Sequence, residues 1–265
     1  MFTRPPDLPD AAIVGALATG WNLGAADVAD VTEVTYAPVG FGSHHWWAVA
    51  ADERWFVTLD DLDARRRNLT DGREHAASRL RAALRTARAL RDVGHEFVIA
   101  PRLTVSGEVA HRIGDRYLAA VYEHVDGITH DYGEYESPMQ RLAVLDRRVA
   151  LHGASACVHD IALADDFVVP SRDQLSIALA DTGVTWGPGP FAEPASQLLK
   201  RYATDVSDTL ARYDALVVEV QRSTERFVIT HGEPHRANTI DTAAGVVLID
   251  WDTTLLAPPE RDLRM

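Results

Sequence analysis

Residues 226–252 read RFVITHGEPHRANTIDTAAGVVLIDWD, and no other stretch restricts the fold so tightly. A short apolar run, RFVIT, feeds a polar loop. NTID and GVVLID then read as two strands joined by TAAG, which is a hairpin signal. If Asp241 pairs with Val246, Asn238 lies opposite Ile249, one residue from Asp250. The open end of the hairpin therefore collects Asn238 and Asp250, with Glu233 just upstream in the entering loop.

The rest of the chain divides by pattern. AAIVGALATGW reads as a helix, and VTEVTYAPV alternates as a strand that ends in GFGS, residues 40–43. HHWWAVAA and RWFVTLDDL form an antiparallel hairpin across the acidic turn Asp52-Glu53, and Trp46 and Trp47 point to opposite faces, so one of them is core. Residues 73–92 favour a helix with Leu80, Leu84 and Ala87 on one face. FVIAPRLTV, GEVAHRI and DRYLAAVYEHVDG read as three more strands. After Gly127 the pattern becomes helical, over 138–156 and 194–222, with the stretch between them, including TWGPGPFAEP, as loop. A β-rich first half before a helical second half implies an α+β fold in two lobes, 1–127 and 128–265.

Composition narrows the function classes. The net charge of -13, from 39 acids against 26 bases, disfavours nucleic acid as a partner and suits a cationic small substrate. No run of 18 apolar residues is present, so no membrane span is expected. MFTRPPDLPD lacks the apolar centre of a signal peptide, and the single Cys157 has no internal partner; a cytoplasmic protein is expected. Cys157 reads as a small core residue, His231 as structural, and Arg65 to Arg67 as a solvated face. Asn68-Leu69-Thr70 matches a glycosylation sequon that a cytoplasmic protein would not use. Lys200 is the one lysine; the other 25 bases are arginines.

Glu233, Asn238 and Asp250 are oxygen donors of the kind that phosphoryl transfer needs, with metal to neutralise phosphates and a carboxylate to orient the attacking hydroxyl. Glu233 and Asn238 are five apart, as are the acid and Asn of the kinase catalytic loop. A zinc site from His231, Glu233, His235 and Asp250 is a second reading, but it leaves Asn238 without a role.

HGEPHRAN followed by LIDWD resembles the aminoglycoside phosphotransferase family, whose pattern is His-Gly-Asp-x-x-x-x-Asn and then Ile-Asp-Trp or Ile-Asp-Phe with an acid; APPERDL, residues 257–263, is similar to a continuation in some members. The specific likeness lies in 231–263, while the earlier segments match in order. It implies a protein-kinase-like two-lobed fold and a cytoplasmic enzyme that uses ATP and Mg²⁺ to phosphorylate a hydroxyl of a small, cationic acceptor, a metabolite or an aminoglycoside-like antibiotic. Carried over, it makes Glu233 the catalytic base and Asn238 and Asp250 the metal ligands. Gly40, Gly42 and Ser43 become the loop over the phosphates, and Tyr122 and His124 fall in the inter-lobe strand whose backbone holds adenine.

Three departures stand against that pattern. Glu233 replaces an Asp and adds one methylene, roughly 1.5 Å of reach. A misplacement of about 1 Å can cost on the order of 100-fold in rate. Thr58 stands where the family's strand lysine grips phosphate, and Arg54, on the same strand face, is the candidate substitute. The chain stops 265 − 252 = 13 residues after Asp252, where family members usually carry further helices, so the second lobe reads as truncated. A kinase-like protein that binds nucleotide or drug without efficient transfer is the alternative function.

Overall fold

The computed structural model describes residues 3–23, 31–50, 53–133, 137–181, 183 and 186–263. Helix α1 (Asp10–Trp21) precedes strands β1 (Val31–Ala37), β2 (His44–Ala50) and β3 (Glu53–Asp61). Helix α2 (Arg73–Asp92) follows, then β4 (His111–Ile113) and β5 (Tyr117–Glu123). These strands form one antiparallel sheet in the order β1-β2-β3-β5-β4. The expected turn at Asp52-Glu53 lies partly outside the described residues, as does the start of the TWGPGPFAEP loop.

Alternation decides how the sheet is packed. Trp46, Trp55, Val57, Leu59, Ala119 and Val121 turn to one face and close a core with Ile13, Leu17 and Trp21 of α1. On the other face α2 presents Ala76, Ala77, Leu80 and Leu84 to Leu118 and Ala120. The last turns of α2 leave the sheet: Ala87 and Leu90 join Leu151, Ile229, Leu248 and Trp251 in a separate core. One helix thus contributes to both halves of the molecule.

The helical half contains β6 (Ile128–Thr129), α3 (Pro138–Gly153), α4 (Ser155–Val158), α5 (Arg172–Ala180) and α6 (Ala192–Val220). Ser137 caps α3 by accepting from the Gln140 amide, and Pro138 occupies its first turn. Strand β7 (Val228–Thr230) pairs with β10 (Leu255–Ala257), and β8 (Thr239–Thr242) with β9 (Gly245–Leu248) and β6.

Several expectations are corrected. FVIAPRLTV is not a strand of the sheet. Pro101 lacks an N–H, and the segment runs extended between the halves, with Ile99 N donating to Leu248 O and Arg102 N to Val121 O. The stretch between the long helices holds α5, a nine-residue helix with no fully buried residue and only a short half-buried stripe at Leu175, Ala178 and Leu179. Cys157 is exposed rather than core. The Trp46–Trp47 alternation holds: Trp46 is fully buried, and Trp47 lies on the opposite face against Phe56.

Candidate active site

The β8–β9 hairpin has the register expected from the sequence, with Asp241 opposite Val246 and Thr239 opposite Leu248. One step further, Ile249 N donates to Asn238 O at 3.0 Å, which sets Asn238 beside Asp250. Asn238 Nδ2 donates to Glu233 O at 2.9 Å, and His235 N donates to the same carbonyl at 2.8 Å. The amide nitrogen of buried Asn238 is thereby committed to the loop, and its oxygen is the end left for a ligand. Glu233 is half-buried, and its carboxylate makes no hydrogen bond to a described residue.

The loop is held from below by the 3-10 segment Pro259–Leu263. Fully buried Asp262 accepts from Gly232 N at 2.7 Å, His231 N at 3.2 Å and His152 Nε2 at 3.0 Å. Burial works to raise its carboxyl, but His152 and the loop amides outweigh it and hold the group below the usual range. Arg261 donates to Thr230 Oγ1 and to Thr253 O, both at 2.8 Å. A Cβ on Gly232 would come within 2.3 Å of the Arg261 guanidinium, and Gly232 has φ +94°, so glycine is required here. His152, Arg261 and Asp262 carry this anchoring; APPERDL had signalled only a likeness.

His231 is fully buried and structural, as expected. Its Nε2 donates to Ile249 O at 2.8 Å, its Nδ1 accepts from Glu233 N at 3.3 Å, and the ring packs on Trp251. Burial pushes the imidazole down to about 4, so it stays neutral. With both nitrogens engaged it is not a metal ligand. No group of three His, Cys, Asp or Glu side chains among the described residues is placed to hold a metal, which removes the zinc reading. His235 packs against Tyr132, with ring centroids 4.3 Å apart, and both its buried ring nitrogens lack a partner among the described residues.

Asp250 adopts φ 66°, an uncommon conformation for a non-glycine residue that a tertiary context must hold. Asp250 is exposed as a residue, yet the surrounding protein and the neighbouring Asp252 carboxylate push its carboxyl well above the usual range, with Arg65 pulling against them. Two adjacent carboxylates and the Asn238 amide oxygen make an oxygen donor set suited to a hard divalent cation completed by phosphate oxygens.

Across the cleft, Gly40 and Gly42 have φ +71° and +91°, which glycine adopts without strain. Ser43 is buried and donates to Asp60 Oδ1 at 2.8 Å. Thr58 shares one face of β3 with Asp60, opposite the face that packs Trp55, Val57 and Leu59 into the core. Burial, then Asp60, Asp250 and Asp252, raise the Tyr122 phenol strongly. His124 begins the connection between the sheet and β6; its N–H is already given to Arg54 O at 3.1 Å, and its ring lies edge-on to Trp47. Arg54 is exposed and stacks over Trp47, 5.1 Å from the ring centroid, so it does not stand in for a lysine beside Thr58. Arg65 corrects the solvated-face expectation: it is in the cleft, bonded to Ser43, Asp60 and Asp252. Arg67 pairs with Asp166, and Arg66 bonds Asp71 O and Leu69 O. No sequence pattern marks Arg65, because its partner Asp252 lies far along the chain.

No family model matches the chain. Protein StrN of Streptomyces griseus is 26% identical over 237 residues, covering 86% of this chain and 67% of that protein. Among solved structures, spectinomycin phosphotransferase APH(9)-Ia, crystallised with ADP and spectinomycin, matches with a TM-score of 0.67 at 14% identity, over 98% of this chain and 73% of its own. Amicoumacin kinase hAmiN, in complex with AMP-PNP, Ca²⁺ and Ami, matches with a TM-score of 0.57 at 14% identity, over 94% of this chain and 65% of its own. Aminoglycoside phosphotransferase APH(4)-Ia matches with a TM-score of 0.54 at 13% identity, over 96% and 75%. The chain has the two-lobed, kinase-like fold of the aminoglycoside phosphotransferases, with a small β-rich lobe and a helical lobe.

Proposed function

We propose that this protein is a member of the aminoglycoside phosphotransferase family that transfers the γ-phosphoryl group of ATP to a hydroxyl of a small, cationic acceptor, an aminoglycoside-like antibiotic or a metabolite, in the cytoplasm. The observation that carries the reading is the meeting of Glu233, Asn238 and Asp250 at the open end of one hairpin, within a kinase-like fold. The Glu233 carboxylate accepts the proton of the acceptor hydroxyl as its oxygen bonds to the γ-phosphorus and the bond to the β-γ bridging oxygen breaks, releasing ADP. Asn238 and Asp250 would hold Mg²⁺, which neutralises phosphate charge when bound. Gly40, Gly42 and Ser43 cover the phosphates. Backbone groups near Tyr122 and His124 face adenine, with the lobe boundary at Gly127.

The test is purified protein with ATP and Mg²⁺ against a panel of hydroxyl-bearing antibiotics, read by mass gain of one phosphate. Glu233→Gln keeps the shape and removes the charge, so turnover should fall about 100-fold or more while ATP affinity stays near wild type. Equal turnover in the two proteins removes Glu233 from the mechanism. A second reading, a nucleotide or drug binder with little transfer, is favoured by the uncharged Thr58 and by Glu at position 233. Calorimetric binding of Mg-ATP with no phosphorylated product on any acceptor would select it.

A further inference from the structure

We infer that Arg65, reaching out of the turn after β3, grips the phosphate oxygens of a nucleotide in the cleft. The inference rests on the proposed phosphotransferase reading and deepens it. Arg65 Nε and Nη2 donate to Asp60 Oδ1 at 2.9 and 2.5 Å, and Nη2 also donates to Ser43 Oγ at 3.0 Å. Ser43 Oγ in turn donates to Asp60 Oδ1, so the three side chains form a closed triangle beside the glycine-rich loop. The same Nη2 forms an ion pair with Asp252, two residues past Asp250. Backbone geometry fixes the base of the arm as well, with Arg65 N donating to Asp61 O.

This arrangement places a permanent positive charge between the loop over the phosphates and the acidic end of β9. Burial opposes the charge, but Asp60 and Asp252 more than offset it and hold the guanidinium protonated. Every bond that Arg65 makes to a described side chain uses Nε or Nη2. Nη1, with two N–H groups in the plane of the fork, makes no bond to a described residue. A guanidinium held on one edge, with no bond to a described residue on the other, suits an oxyanion, because little freedom is lost when the second edge binds. Arg54, stacked on Trp47, and Lys200, exposed on α6, do not take this place, and Thr58 is uncharged. Asp60 is then the positioning residue for the arm. Because Asp60, Asp250 and Asp252 surround it, the nucleotide should arrive with its divalent cation, which offsets their charge.

Calorimetric titration of the wild type, Arg65→Gln, Arg65→Lys and the double variant Arg65→Gln/Thr58→Lys with Mg-ATP and with adenosine tests this. Arg65→Gln should weaken Mg-ATP about 10- to 100-fold, the size expected for a charge-assisted bond. Adenosine, which has no phosphate, should bind within about twofold of wild type. Arg65→Lys keeps the charge without the fork and should fall between. Thr58→Lys in the Arg65→Gln background should restore part of the Mg-ATP affinity and leave adenosine unchanged. Unchanged Mg-ATP affinity in Arg65→Gln, or equal losses for ATP and adenosine, would overturn the inference, the latter because Arg65 would then only hold the cleft in shape. If Arg65→Gln melts below the assay temperature, Arg65→Lys carries the same comparison of ATP with adenosine. A wild type that binds neither nucleotide nor nucleoside takes down the phosphotransferase reading itself.

Discussion

Gly232 lacks one methyl group, and the whole loop depends on that. A Cβ there would overlap the Arg261 guanidinium, and the φ of +94° would strain any other residue. Gly232→Ala should cost about 1–3 kcal/mol from the backbone alone, read as a lower urea midpoint, and should reduce turnover because Glu233 is the next residue. His231 gives a pH signature. Its folded pKa, about 4, lies below the 6.5 of the unfolded chain, so the unfolded state binds more protons between these values. The contribution of His231 is therefore present above pH 6.5 and lost as pH falls towards 4, on the order of 3 kcal/mol. His231→Asn should flatten the stability curve over that window; an unchanged slope would place the acid sensitivity elsewhere. The structural part of His231 was legible from the sequence. Arg65 was not, since a run of three arginines looks the same whether it faces water or a cleft.

Elements with local rules were the readable ones. Helix α2 spans Arg73–Asp92, the residues its 3.6-residue period indicates, and the hairpin keeps its expected register because TAAG leaves little choice of turn. Elements set by distant partners were not. Pro101 diverts FVIAPRLTV away from the sheet, and α5 is nine residues long with no fully buried side chain, so its short stripe of Leu175, Ala178 and Leu179 is a weak signal. Segment Pro259–Leu263 belongs to the same class: its importance comes from Asp262 reaching back to the loop. Asp262→Asn keeps the shape but loses acceptor capacity for His231 N, Gly232 N and His152. It should cost about 1–3 kcal/mol in chemical denaturation. Because the Asp262 carboxyl is held low in the folded state, its contribution exists above the ordinary carboxylate range and disappears as pH falls through it. The variant should therefore lose less stability than wild type at the acid extreme.

At the scale of the molecule, α2 joins the lobes, with Leu80 and Leu84 under the sheet and Ala87 and Leu90 in the core beneath the HGEPHRAN loop. Leu90→Ala removes a fully buried side chain and should destabilise by about 2–5 kcal/mol. The Arg65–Asp252 pair is a second tie between the lobes, at the cleft itself. The cleft has no primary amine on its strand: Thr58 occupies β3, and Lys200, the one lysine of 265 residues, is on exposed α6. Acyl-phosphate nucleotide reagents, which tag kinases by acylating an amine beside the bound phosphates, would find no acceptor here, because a guanidinium held protonated is not a nucleophile. A survey of nucleotide-binding proteins built on that chemistry would pass over this one even with its cleft full.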